Sequence, residues 1–324
     1  FYHFEMVNEA DFILFVRNLK RRYRQFKGRS RYLLSTETVQ TPLLECFRLP
    51  ILSFAIDFEL YWCNAYQKGS DMSERQRIDY AQNASKCIHP LKQVFIDCQM
   101  PCTWAVVAKL IEPDGRPAPH KSFNPTWANN DWYEIPDMDT DLFEAQKFIL
   151  GLKDSELFEI VSHGFGHIEF ADPSVTEEIA AEDILLAKKI LKDYVTNEKV
   201  FIYSSNKLDH TKLLPQIGYN IVRGDDQMWH LGRKDKTIRT PEGFWISPSM
   251  ISLQEAIKLV DEGIKNRSFI HPWTHPRDIN MKAQDIERFY RPFFMYIKDQ
   301  EKKGNLDILS FQEIWERINQ FYFS

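Results

Sequence analysis

Two carboxylates and three imidazoles stand where short apolar runs of this chain stop. Asp57 and Glu59 close "SFAIDFE" two residues apart, and so share one face of an extended chain. His163 and His167 lie four apart in "SHGFGHIEF", a spacing that lets both reach one metal ion, with bonds of about 2.0–2.1 Å for zinc. His271 ends the run "SFIH". Paired carboxylates at the end of a buried strand repel unless a cation lies between them or one takes a proton. Two histidines and one carboxylate with an open fourth position have the composition of a catalytic zinc site. The other carboxylate is then available as a base, and His271 as proton donor to a leaving amine. Gly164 stands where an HExxH protease carries its glutamate, so the base comes from elsewhere. Gly164 and Gly166 would each cost a helix about 1 kcal/mol relative to alanine. They predict a loop in which backbone and substrate approach closely. His275, four residues beyond His271 and past Pro272, is expected to be exposed.

The elements that must position these groups are legible as alternating short apolar runs and amphipathic stretches. Strands are predicted at 51–57, 102–107, 157–161, 199–203, 219–223, 244–247, 268–271 and 306–310. Most runs are continuous rather than alternating, as in a parallel sheet covered on both faces. "SVTE" (174–177), "SLQE" (252–255) and "SFQE" (310–313) read as capping boxes that open helices. Strand–helix alternation without a glycine-rich phosphate loop favours a barrel over an open doubly wound sheet. In a parallel barrel the carboxyl ends of the strands converge on one mouth, where chemistry takes place. Four strands here end in Asp57/Glu59, His163, Asn206 and His271. Residues 112–140, rich in Pro, Asn, Asp and Trp, form a loop long enough to serve as a lid or cleft wall.

The chain of 324 residues is long enough to fold without a disulfide or metal staple, which frees any metal site for function. A net charge of −5 argues against nucleic acid as the main partner. Five cysteines without a CxxC pair suit a reducing, cytoplasmic compartment. No apolar run spans a bilayer. The basic run Arg17–Arg31 is read as a solvated face, with docking to membrane phosphates or an acidic partner as its functional alternative.

Taken in order from about residue 50 to 320, these segments resemble the polysaccharide deacetylase family (carbohydrate esterase family 4), metal-dependent N-deacetylases. The resemblance implies a distorted (β/α)7 barrel over 49–324, with 1–48 an N-terminal extension packed on it and 112–140 a loop insertion. "SFAIDFE" is similar to the family's first motif and implies Asp57 as base and Glu59 as metal ligand. "SHGFGHIEF" resembles its His-x-x-x-His ligand motif, and "FIHPW" its last motif, which implies His271 as general acid. Gly164 replaces the usual Ser or Thr after the first ligand. "FIYSSNK" keeps Asn206 of the third motif, without its Arg and Pro; Arg223, at the end of "YNIVR", is the replacement expected to orient Asp57.

The implied cofactor is Zn2+ or another divalent transition metal. The implied activity is removal of an N-acetyl group from an amino sugar in a glycan or glycan precursor, of the kind used in bacterial surface polysaccharide or lipopolysaccharide biosynthesis. Trp127, Trp132, Tyr133 and Trp245 are candidates to stack on sugar rings, with Asn206 and Arg223 as further substrate contacts. A glycan-binding protein that has lost catalysis, and a small-molecule amidohydrolase, are the two rival readings.

Overall fold

The structure, a computed structural model, describes residues 38–40, 45–62, 74–111, 142, 144–224, 227–231, 237–239, 244–246, 251–279 and 286–322. The insertion 112–140 with Trp127, Trp132 and Tyr133, the basic segment 17–31 and the side chain of Trp245 lie outside them. The strands are β1 Thr38–Gln40, β2 Ile51–Leu52, β3 Ala55–Phe58, β4 Cys102–Val106, β5 Phe158–Ser162 and β6 Val200–Ile202. They continue with β7 Ile221–Gly224, β8 Gln227–Leu231, β9 Thr237–Arg239, β10 Phe244–Ile246, β11 Phe269–Thr274 and β12 Asp307–Ile308. The helices are α1 Glu74–Asp97, α2 Gln146–Leu152, α3 Glu177–Leu191, α4 Leu213–Ile217, α5 Leu253–Lys265, α6 Arg291–Lys302 and α7 Phe311–Tyr322.

All eight predicted runs form strands, nine in number because 51–57 divides into β2 and β3 on either side of β11. They pair in the order β7-β6-β5-β4-β3-β11-β2-β12, with β10 on β11, and every pairing among them is parallel. Beyond β7 the sheet continues through antiparallel β8 and β9, and β1 then pairs parallel to β9. The three strands of that extension were not predicted. The capping boxes at Ser252 and Ser310 form as expected. The third does not: Thr176 caps α3 by accepting from Ile179 N–H, while Ser174 turns back to bond Asp172. Among the described residues no helix is long and apolar enough to cross a membrane.

The parallel strands β2 to β7 and β11 divide their residues between two apolar clusters with the two-residue period of a pleated chain. Leu52, Phe54, Ile56 and Phe58 join the outer cluster beneath the helices. Ile51 and Ala55 join Ala105, Val161, Val200, Ile202, Ile221 and Phe269 in an inner one, together with Phe311, Ile314 and Ile318 of α7. A flat sheet could not bring one face of so many strands onto a single helix. The second sign of curvature is at the top. Strands lie about 4.8 Å apart, so β7 and β3, four places apart in the sheet, would stand about 19 Å apart if it were flat. Instead Arg223 on β7 donates to Asp57 on β3 at 2.6 Å. The sheet curls into a barrel whose gap between β7 and β11 is spanned by side chains, Arg223 lying 5.6 Å from the Trp273 ring centre.

The barrel floor is closed by α7. Buried Glu159, inward on β5, accepts from Phe311 N–H at 3.1 Å and Gln312 N–H at 2.7 Å at the start of that helix. It also accepts from Asn197 at 2.8 Å and Thr103 at 2.5 Å, so four donors surround one carboxylate. Burial pushes Glu159 up toward its neutral form, and the four donors oppose that shift; a buried donor left without its acceptor costs about 1–3 kcal/mol. Glu159→Ala is expected to lower unfolding free energy by about 3 kcal/mol or more in urea titration; a loss under about 1 kcal/mol would remove this carboxylate from its structural role.

Candidate active site

Strand register decides which side chains meet. Asp57 is paired with Ala105, and Ala105 with Val161, which puts Glu59 level with His163 two residues further up. On the other side Trp273 is paired with Ala55, so Asp57 is level with residue 275 and Ser53 with residue 271. Asp57, Glu59, His163 and Arg223 all point inward, continuing the alternation that sends Ala55, Val161 and Ile221 into the barrel.

Glu59, His163 and His167 form a buried cluster whose ligand atoms lie within 4.8 Å of one another. Glu59 Oε1 stands 3.1 Å from His163 Nε2 and 2.8 Å from His167 Nε2. His163 donates Nδ1–H to the Ile202 carbonyl at 2.7 Å, which leaves Nε2 as the lone-pair nitrogen facing Glu59. Burial pushes His167 toward its neutral form against the pull of Glu59, the state a metal ligand needs. Burial alone would raise Glu59, but His167, His275 and Arg277 together hold it well below the usual carboxylate range. Arg277, on the turn after β11, binds the outer oxygen of Glu59.

Asp57 flanks this cluster. Burial opposes its charge, yet Arg223, seconded by His163 and His275, keeps its carboxyl below the ordinary value. Arg223 occupies Oδ2, while Oδ1 has no hydrogen-bond partner among the described residues. A buried, ionised carboxylate with one oxygen unengaged is suited to take a proton from a bound water.

The opposite flank belongs to His275. It is not exposed: its side chain keeps 12% of its accessible surface, and Nε2 lies 3.6 Å from Glu59 Oε1 and 3.9 Å from Asp57 Oδ2. Its Nδ1 bonds Asp278 at 2.6 Å. Burial and Arg277 work against its protonation, but Glu59 and Asp278 overcome them and raise it to about 9. His271 is placed differently. It faces inward one helical-turn's worth of residues lower, level with Ser53, whose carbonyl accepts from Nδ1 at 2.6 Å. It packs between Phe269 and Phe311, and burial with Arg223 nearby pushes it down to about 3. The apolar run ends at His271, but β11 continues through Pro272 to Thr274 and brings His275 to the mouth.

The remaining expected residues sit as follows. Asn206 lies in a 3-10 turn after β6, and Ser204 of that turn donates to the His163 carbonyl at 3.3 Å. Trp245 lies in β10 beside His271, below the level of His275. Sequence reasoning missed Asp278, Arg277 and Asn83. Asn83 on α1 donates to the carbonyls of Arg277 at 3.1 Å and Ile279 at 3.2 Å, clamping the turn that carries His275. Its readable signal was an amide among the apolar positions of α1, beside Ala84 and Cys87. Backbone strain gathers at the same end. Of seven non-glycine residues with positive φ among those described, Leu60, His167, Ser205, Asn206 and His210 follow β3, β5 and β6. Such conformations persist only where surrounding structure enforces them, and they concentrate at functional sites.

No protein-family model matches the sequence, and no curated protein sequence matches it. Solved structures do share the fold. A protein from Mycobacterium smegmatis described as a polysaccharide deacetylase is 11% identical, with TM-score 0.61, over 90% of this chain and 97% of its own. One from Pseudomonas aeruginosa PAO1, described in the same terms, is 13% identical, with TM-score 0.57, over 84% and 91%. PuuE allantoinase is 12% identical, with TM-score 0.56, over 84% and 91%. The barrel of this chain is the one found in these proteins.

Removing one partner of a buried ion pair costs about 3–5 kcal/mol, whereas replacing both with apolar groups is often neutral. Arg223→Met should therefore destabilise by about 3–5 kcal/mol, and Arg223→Met/Asp57→Leu should recover most of that loss. Equal destabilisation in the single and double variants, by chemical denaturation, would contradict the pairing.

Proposed function

We propose that this protein is a metal-dependent hydrolase of amide bonds that removes the N-acetyl group from an amino sugar in a glycan or glycan precursor. The observation that carries this reading is the buried Glu59–His163–His167 cluster, with ionised Asp57 on one side and protonated His275 on the other. The donor set, two imidazoles and a carboxylate, suits zinc or a related divalent metal. Bound there, such an ion would polarise the amide carbonyl and acidify a water molecule.

The chain's own residues supply the proton traffic. Asp57, kept charged by Arg223, takes the proton of the attacking water through Oδ1. His275, held by Asp278, gives a proton to the departing amine through Nε2. The general-acid role that the resemblance implied for His271 passes to His275, because His271 lies below the mouth with Nδ1 tied to Ser53. Arg223 takes the place of the missing third-motif arginine, reaching Asp57 from the next strand across the barrel.

The geometry weighs against the reading of an inactive glycan-binding protein, since groups suited to act as acid, base and ligands stand together. The likeness to an allantoinase favours a second reading, a small cyclic amide as substrate. A screen for acetate release from N-acetyl sugars, run beside ring opening of allantoin, separates the two. Acetate release that is lost with a chelator and restored by zinc supports the deacetylase. Turnover of the cyclic amide alone would overturn it.

Two predictions follow from the roles. Asp57→Asn and His275→Ala should each lower kcat by about 10²–10⁴-fold with zinc still bound, whereas His271→Leu should keep turnover in whatever fraction folds. The acid must be protonated, so the rate falls as pH rises through the His275 value. Asp278 raises that value, so Asp278→Asn should move the basic limb of the pH–rate profile to lower pH; an unmoved limb would take His275 out of the acid role.

A further inference from the structure

We infer that Asp183 is the positioning residue of the metal-ligand loop, its carboxylate holding His163 and His167 at the spacing that one divalent ion requires. The inference rests on the metal reading above and assigns to α3 a part in it. Asp183 is fully buried on the inner side of that helix, in the apolar stripe of Ala180, Ile184 and Ala187. A carboxylate there needs a reason, because burial disfavours its charge and pushes it up to about 6.

Its partners supply that reason. Oδ1 accepts from Phe165 N–H at 2.8 Å and Oδ2 from Gly166 N–H at 2.9 Å. These are successive backbone donors lying between the two ligand histidines. Gly164 precedes them with φ +81°, so the loop forms a small anion-binding concavity of backbone N–H groups whose anion is the chain's own carboxylate. The fit is tight on the other side too, since a Cβ on residue 164 would stand 2.9 Å from Asp183 Oδ1. A serine or threonine at position 164 would therefore displace the carboxylate, which accounts for glycine at that place in this chain. At the far end of the same loop His167 has φ +54°, a conformation that an L-residue keeps only under restraint. Two bonds from a helix anchored in the outer core supply the restraint, and the imidazoles project from its two ends toward Glu59.

The test is zinc affinity, measured by competition with a chromophoric chelator, together with the visible spectrum of the Co2+ form. Asp183→Asn keeps the side-chain shape but sets an NH2 against one of the loop donors. Its zinc affinity should fall about 10- to 100-fold, with an altered Co2+ spectrum. Ile184→Ala disturbs the same helix with no bond to the loop and should keep wild-type affinity and spectrum. If Asp183→Asn does not fold, Gly164→Ala crowds the same carboxylate from the loop side and should give the same fall. Zinc affinity within twofold of wild type in the tested loop variant, or an equal fall in Ile184→Ala, overturns the inference and leaves the metal reading intact. A wild-type protein that takes up no zinc overturns both.

Discussion

A single ion pair across the barrel, Arg223 with Asp57, ties the architecture to the chemistry. It joins strands four places apart and lies where β7 and β11 share no backbone pairing among the described residues. Backbone hydrogen bonds run along neighbouring strands and cannot bridge such a gap; a long side chain with a rigid fork can. The same bond keeps Asp57 ionised in a place where burial alone would neutralise it. The curl of the sheet and the charge of Asp57 thus meet in one interaction.

Around that pair the barrel is polarised between a strained rim and a floor built on one many-bonded carboxylate. At the rim, left-handed residues and buried charges crowd together, and side chains from outer helices reach in to hold the loops: Asn83 from α1 and Asp183 from α3. At the floor, Glu159 meets four donors, and His271 stands between Phe269 and Phe311 in a lining that is mostly apolar. Rigid support below is what allows irregular backbone above, since strain survives only where neighbouring structure outweighs it.

Much of this was legible in the residues because parallel strands covered on both faces leave continuous apolar runs, and all eight such runs became strands. The polar residues ending those runs marked the carboxyl ends of the strands, where Asp57, Glu59 and His163 lie; His167 was read from its four-residue spacing to His163. The position of His275 was not legible, because it depends on register. A proline after His271 reads as a stop, yet Pro272 lies within β11, beside Ile246 of short β10, and the strand continues. The extension through β8 and β9 gave short or mixed patterns with no continuous run to see. The cap at Thr176 was missed because two hydroxyl residues compete within one turn, and Asp172 engages the first of them. Asp183 left a faint mark, one acid in a helix stripe of alanine and isoleucine, which only the loop it meets makes meaningful.

The floor also bears on how the molecule comes to be built. Glu159 takes its two backbone donors from Phe311 and Gln312, about 150 residues further along the chain. During synthesis the strands from β3 to β7 emerge, and can begin to associate, well before α7 exists. Through that interval Glu159 lacks two of its four donors, and water is free to take their place. Long-range pairings of this kind slow folding, because the chain between them must be ordered before the contact is made. Arrival of α7 expels that water and satisfies the carboxylate in one step. The base of the barrel is thus the part whose satisfaction waits longest: without α7 it lacks both the backbone donors of Glu159 and the apolar cover of Phe311, Ile314 and Ile318.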